Sequence, residues 1–108
     1  MNPDTSSHSA RITVQIDSAL KDLIPTFLAN RRRDVETLTQ ALDTGDFRTI
    51  GALGHRLKGD GGGYGFQDIT DVGATIEQAA SRKDGECISR QIAKFRHYLD
   101  HIDIVFMD

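Results

Sequence analysis

Apolar residues recur every three or four positions along most of this chain, and this spacing restricts its fold more than any other feature. An α-helix turns by about 100° per residue, so residues at this spacing share one face. Four such segments follow one another. Their apolar positions are Leu20, Leu23, Ile24, Phe27, Leu28, Val35, Leu38 and Leu42, then Ile50, Leu53, Leu57 and Tyr64, then Ile69, Val72, Ile76 and either Ala79 or Ala80, and finally Ile88, Ile92, Phe95, Leu99 and Ile102. Because each helix can bury its stripe only against the others, the pattern predicts an all-α fold, an antiparallel four-helix bundle.

Turn and cap residues separate the four segments. Asp46 follows a Thr-Gly break and Asp84 precedes a glycine, so both are candidate N-caps, while Gly65 is expected to end the second helix. Pro25 lies inside the first apolar pattern. Since proline is tolerated only in the first turn of a helix, it predicts a short helix before it and a long one starting near it, or a kink.

The N-terminal residues are polar and lack sustained periodicity. We expect residues 1–16 to form a flexible arm and residues 17–108 to form the bundle, with a short extra N-terminal helix or arm. Strand-like alternation is confined to Arg11–Ile16, which we interpret as too isolated to form a sheet. The sequence therefore predicts one domain.

Composition restricts the class of protein. A net charge of −3 argues against a nucleic-acid binder, and the single cysteine, Cys87, leaves neither a disulfide nor a cysteine zinc site. The basic run Arg31–Arg33 is interpreted as a solvated helix face, with a docking surface for an acidic partner as the alternative. No apolar run is long enough to span a membrane and the start does not resemble a secretory signal, so we expect a cytoplasmic protein, and the initial Met favours a freestanding one.

The second segment contains seven of the ten glycines and a histidine, His55. On a helical wheel His55 lies at about 80°, opposite the apolar stripe at about 240° to 300°, and is therefore expected to face solvent. The residues that stack beside it are nearly free of side chains apart from a lysine: Gly51, Ala52, Lys58, Gly59 and Gly62. Another protein's surface could approach this face closely. Two further glycines, Gly54 and Gly61, fall near the apolar face, where they would permit close helix packing, and Gly63 receives no role.

An exposed neutral imidazole is a nucleophile near neutral pH and can accept a phosphoryl group. The ammonium group of Lys58, one turn along, could reach an anion held on that imidazole. The chain has neither a GxxxxGK[ST] nor a GxGxxG motif for binding a nucleotide. The phosphoryl group would therefore come from another protein.

The stretch HRLKGDGGGYG resembles the signature of histidine phosphotransfer (HPt) domains of two-component phosphorelays. That signature reads His-x-Leu-Lys-Gly, a segment of small residues and a later glycine, and it is matched by His55, Leu57, Lys58, Gly59 and Gly65. ALDTGDF, residues 41–47, and the pair Ile76-Glu77 extend the resemblance, which covers residues 17–103. Asp60 departs from the serine or alanine of many members, but the wheel places it away from His55.

The resemblance implies that His55 accepts a phosphoryl group from the phospho-aspartate of a receiver domain and passes it to another receiver. Lys58 would stabilise the phosphoryl charge. Receiver access and docking would fall to Gly51, Ala52, Gly59 and Gly62. Glu77 is interpreted as structural or as part of the docking rim. Magnesium would belong to the receiver, and this chain would bind no cofactor or metal.

The implied partners are receiver domains of response regulators or of hybrid histidine kinases. The resemblance further implies that the protein is a monomer and that it is a phosphotransfer intermediate, not an enzyme with its own ATP site. One alternative is an adaptor that docks on a receiver or kinase without transferring a phosphoryl group. A third hypothesis is a metal-binding helical protein that uses His97 and His101, which stand four residues apart on the last helix. The sequence shows no third ligand for such a metal.

Overall fold

A computed structural model describes residues 11–108. In chain order its elements are strand β1 (Ile12–Asp17), a 3-10 helix (Ser18–Leu23), helices α1 (Ile24–Asp43), α2 (Phe47–Tyr64), α3 (Gln67–Ser81) and α4 (Gly85–His101), and strand β2 (Ile102–Met107). Pro25 lies in the first turn of α1, where its missing N–H breaks no helical hydrogen bond. The prediction of a short helix before Pro25 and a long one starting near it is therefore confirmed.

The predicted ends of the helices are confirmed by their capping contacts. The carboxylate of Asp46 accepts a hydrogen bond from the backbone N of Thr49 at 3.1 Å, and that of Asp84 accepts one from the backbone N of Cys87 at 3.0 Å. Gly65 ends α2 in the left-handed conformation, with φ of 88°. Local side-chain chemistry thus fixes where α2 and α4 begin and where α2 ends.

The four helices enclose one core, since α1 packs against α2 and α4, and α3 packs against the same two helices. Most of the predicted apolar positions are buried in it. Leu23 is an exception, 51% exposed, because it belongs to the 3-10 helix rather than to the stripe of α1. Within residues 11–108, no helix has the length and apolar character needed to cross a membrane.

A small parallel sheet joins the two ends of the described chain, contrary to our interpretation of Arg11–Ile16 as too isolated to pair. β1 pairs with β2 in a register that sets Ile12 opposite Ile102 and Asp17 opposite Met107. Ile102 is thus the first residue of β2 and not the last of the α4 stripe. Ile12–Ile16 of the predicted arm therefore forms a strand, and residues 1–10 lie outside the described residues.

The interpretation of Arg31–Arg33 as a solvated face is wrong for Arg31, which is only 7% exposed. Its guanidinium donates to Asp34 at 2.7 Å and to Asp60 of α2 at 3.3 Å, and it lies over the ring of Phe27. A buried cation requires such partners. Asp60 therefore points toward α1 and away from His55, as the helical wheel predicts.

Candidate functional site

His55 lies in the middle of α2 on the face opposite the core. Its side chain is 69% exposed, whereas Leu53 and Leu57, on either side of it in sequence, are buried. The helical turn that buries the leucines directs the imidazole outward. The structure therefore agrees with the exposed orientation expected from the wheel.

A glutamate of the neighbouring helix holds this histidine. Nδ1 of His55 lies 2.9 Å from Oε2 of Glu77, and Oε1 of Glu77 accepts a hydrogen bond from Nζ of Lys58 at 3.0 Å. One carboxylate thus joins the two residues that the sequence singles out. The sequence pattern does not reveal this contact, although Glu77 follows Ile76, a core residue, and must therefore lie at the edge of the buried face of α3.

The contact with Glu77 selects the tautomer of a neutral His55 ring. The hydrogen bond from Lys58, and to a smaller extent that from His55, hold the pKa of Glu77 below its ordinary value. Glu77 is therefore ionised at neutral pH and can only accept hydrogen bonds. The proton of a neutral His55 must then sit on Nδ1, which leaves a lone pair on Nε2. No residue in the described part of the chain hydrogen-bonds Nε2.

We expect the contribution of Glu77 to stability to depend on pH. Because folding lowers the pKa of Glu77 from the ordinary 4.5, its contribution is present above pH 4.5 and is lost as the pH falls through the lowered value. Glu77→Gln does not titrate. Melting temperatures from pH 3 to pH 7 should show the wild type above the variant by a few degrees at most near pH 7, with the difference shrinking as the pH falls below 4.5. A difference that does not change with pH would contradict the ionised contact.

Glycines bring α2 and α3 close enough for this contact. A Cβ atom on Gly54 would lie 2.8 Å from the backbone N of Glu77, and one on Gly61 would lie 2.6 Å from the backbone N of Thr70. The predicted packing role of these two glycines is therefore confirmed. Their counterpart on α3, which the sequence did not single out, is Gly73, whose Cβ would lie 2.5 Å from the backbone N of Lys58. Its position beside Val72 in the apolar stripe is the signal that could have revealed it.

The other glycines of α2 face open space or loose contacts. A Cβ on Gly59 or Gly63 would meet nothing within 4 Å, and one on Gly51 or Gly62 would make only ordinary contacts, at 3.5 Å and 3.6 Å. A Cβ atom at Gly59 or Gly63 therefore meets no steric conflict.

An open groove of about 610 Å³ runs beside His55 between α2 and α3. Its lining comprises Phe47, Arg48, Gly51, Ala52, His55, Glu77, Ala80, Ser81 and Lys83. The structure thus places Gly51 and Ala52 with His55 in one groove, whereas Gly59 and Gly62 lie further along α2, outside it. The groove leaves open space directly beside the imidazole.

The described part of the chain brings no third metal ligand to His97 and His101, the pair proposed as a metal site. The two rings stack with centroids 4.0 Å apart, and Nδ1 of His101 lies 2.7 Å from the backbone oxygen of His97. Among residues 11–108, no three His, Cys, Asp or Glu side chains form a cluster that could hold a metal ion. The geometry favours hydrogen bonding within α4 over metal coordination.

Comparison with known proteins identifies the family. The family model for the Hpt domain matches residues 22–104, most of the chain. Neither a curated protein nor a solved structure matches the chain. The family match spans all four helices and includes His55, Lys58 and Glu77. The chain therefore belongs to the Hpt domain family, whose members are phosphocarriers of two-component systems rather than autokinases.

Proposed function

We propose that this protein is a phosphorelay carrier in which His55 accepts a phosphoryl group from the phospho-aspartate of one receiver domain and passes it to another receiver. The observation that carries the proposal is the exposed imidazole of His55, whose Nδ1 contacts an ionised carboxylate while no described residue hydrogen-bonds Nε2. That arrangement suits a nucleophile. The protein acts in the cytoplasm, as a monomer, on this proposal.

The transfer reaction follows from the protonation of the ring. The lone pair of Nε2 attacks phosphorus, the N–P bond forms, and the bond from phosphorus to the aspartate oxygen breaks, its electron pair leaving with the receiver's carboxylate. The ring retains its proton on Nδ1 and becomes cationic, and Glu77, 2.9 Å away, stabilises that charge. The reverse steps deliver the phosphoryl group to a second receiver. Magnesium, which neutralises phosphoryl oxygens in such reactions, belongs to the receiver.

Lys58 supplies positive charge next to the acceptor. Its Nζ lies on Oε1 of the same carboxylate that contacts His55, and its side chain is 43% exposed and therefore able to move. In the phosphorylated protein the ammonium group turns from Glu77 toward the phosphoryl oxygens. Lys58 thus acts as a positioned cation and takes no part in proton transfer.

The direct test is a relay with purified components. Receiver domains of the source organism, phosphorylated with acetyl phosphate, are mixed singly with the protein, and the labelled protein is then mixed with each unphosphorylated receiver. We expect a label that is lost in acid and kept in base, as for phosphohistidine, and its onward transfer to a second receiver. Receivers that bind the protein without labelling it would instead indicate a docking adaptor.

A substitution at Gly59 tests whether the small residues on this face of α2 allow a receiver to reach His55. Gly59→Leu should raise the melting temperature, because leucine favours the helix by about 1 kcal/mol over glycine and a Cβ there meets nothing within 4 Å. The same side chain, one turn from His55, should slow labelling by a phosphorylated receiver about tenfold, since a protein surface that must come within bonding distance is held off.

The matched control for this test is Gly63→Leu, which is also open but lies two turns from His55. It should gain similar stability and keep the wild-type labelling rate. Equal labelling rates for both variants and the wild type would show that Gly59 does not serve access.

A further inference from the structure

The groove beside His55 has a second end with a different character. His55 and Glu77 lie at one end, whereas Arg48, near the start of α2, and Lys83, just after α3, line the other. Between them the lining residues Gly51, Ala52 and Ala80 carry at most a methyl group. Seven helical positions separate Arg48 from His55, which places the two ends about 10 Å apart. A surface docked in the groove would reach both ends at once.

The second end of the groove is positively charged, although the chain carries a net charge of −3. Arg48 and Lys83 make no ion pair with any residue between 11 and 108. The carboxylate of Asp46 is engaged chiefly by Thr49, in capping α2, and the charge of Arg48 makes the smallest contribution to lowering the pKa of Asp46. The one carboxylate that lines the groove, Glu77, is already bound by Lys58 and His55. Two unpaired cations thus remain available to a partner.

Lys83 adopts a left-handed backbone conformation that is unfavourable for residues other than glycine. Its φ of 56° makes it the one non-glycine residue with positive φ in the described part of the chain. The turn before α2 has matching hydrogen bonds, in which the N atoms of Gly45 and Asp46 bond the third and fifth carbonyls before them, as those of Lys83 and Asp84 do. That turn places Gly45, φ 68°, at the equivalent position. The turn therefore does not need a lysine, and glycine would fit it with less strain.

We propose that Arg48 and Lys83 form a recognition edge for acidic side chains of the receiver that docks in this groove. The inference rests on the proposed function and names the chemistry of its partner. The occupant is a receiver surface whose apolar side chains cover Gly51, Ala52 and Ala80 while its carboxylates meet the two cations. This pairing orients the phospho-aspartate toward His55 and selects among receivers by charge.

The test compares Lys83→Gly, Arg48→Gln and the double variant with a control, Lys94→Gln, which removes an exposed cation of α4 that does not line the groove. Each receiver that labels the wild type is used, phosphorylated with acetyl phosphate, and the second-order rate constant for labelling is measured from 20 to 500 mM NaCl. We expect each single variant to lose about three- to tenfold at low salt and the double variant more, with Lys94→Gln unchanged.

Two further readouts separate recognition from a structural role. Lys83→Gly should melt at or above the wild-type temperature while labelling more slowly, which a residue needed only for folding would not do. The rate for the wild type should fall with salt, and that for the double variant should fall less steeply. Equal rate constants and equal salt dependence for the double variant and the wild type would overturn the recognition edge and leave the carrier function intact. A wild type that no receiver labels overturns both.

Discussion

Replacing His55 by glutamine is expected to abolish labelling by every phosphorylated receiver, the largest functional effect of any single substitution in this chain. Glutamine keeps a polar side chain of similar reach but has no nucleophilic nitrogen, because its amide lone pair is delocalised. The amide can still hydrogen-bond the carboxylate of Glu77, which Lys58 also continues to bind. We therefore expect His55→Gln to lose the label even though the carboxylate of Glu77 keeps its hydrogen-bond partners.

The fold should survive this substitution. The His55 side chain is mostly exposed, and the core contacts of α2 are made by residues on the opposite face, such as Leu53 and Leu57. Surface substitutions of this kind usually change the free energy of unfolding by about 0.5 kcal/mol or less. We expect a circular dichroism spectrum like that of the wild type and a melting temperature within a few degrees of it.

The measurement is phosphoryl transfer from a radiolabelled receiver, followed on acid-free gels. His97→Gln serves as the matched control because it removes an exposed histidine of α4 that does not line the groove. That variant should label at the wild-type rate. Label that persists on His55→Gln would falsify the assignment of the acceptor, whatever the family of the protein.

The orientation of His55 could be predicted because it depends on one helix alone. Once Leu53 and Leu57 define the buried face, the 100° turn per residue fixes the direction of every other side chain of α2. The caps at Asp46 and Asp84 are likewise local, since each needs only a backbone N–H three residues ahead. Features that depend on one helix alone can thus be predicted from the sequence.

The partner of His55 could not be predicted in the same way, because the contact depends on how far α3 is displaced along α2. That displacement is set where the two backbones touch, at Gly54 and Gly73. A shift of one helical turn, about 5.4 Å, would place another residue than Glu77 beside the imidazole. The pairing of β1 with β2 could not be predicted for a related reason. The two strands are far apart in the sequence, and each is too short to indicate a sheet by itself.

The contact between α2 and α3 leads to the largest expected effect on stability, that of Gly73→Ala. The added methyl carbon would lie 2.5 Å from the backbone N of Lys58 and 2.7 Å from the backbone O of Gly54. Both atoms belong to the interior of α2 and cannot rotate away, so α3 must move. Overpacking of this kind costs about 3 kcal/mol, which exceeds the roughly 1 kcal/mol that alanine gains over glycine in a helix.

Gly63→Ala is the matched control, because a Cβ at Gly63 meets nothing within 4 Å and the helix propensity gain is the same. Thermal unfolding of the two variants should move in opposite directions. Gly73→Ala should melt about 10 °C below the wild type, and Gly63→Ala a few degrees above it. Equal melting temperatures for the two variants would show that α3 can move away from α2 at little cost.

The same substitution links packing to function, since the backbone of α3 carries Glu77 one turn beyond Gly73. If α3 moves outward to accommodate the methyl group, the 2.9 Å contact between Glu77 and His55 lengthens and the ring loses the carboxylate that stabilises its cationic form. We therefore expect Gly73→Ala to label about tenfold more slowly at 10 °C, where the variant remains folded, while Gly63→Ala labels at the wild-type rate. A destabilised Gly73→Ala with an unchanged labelling rate would show that the spacing of α2 and α3 serves stability alone.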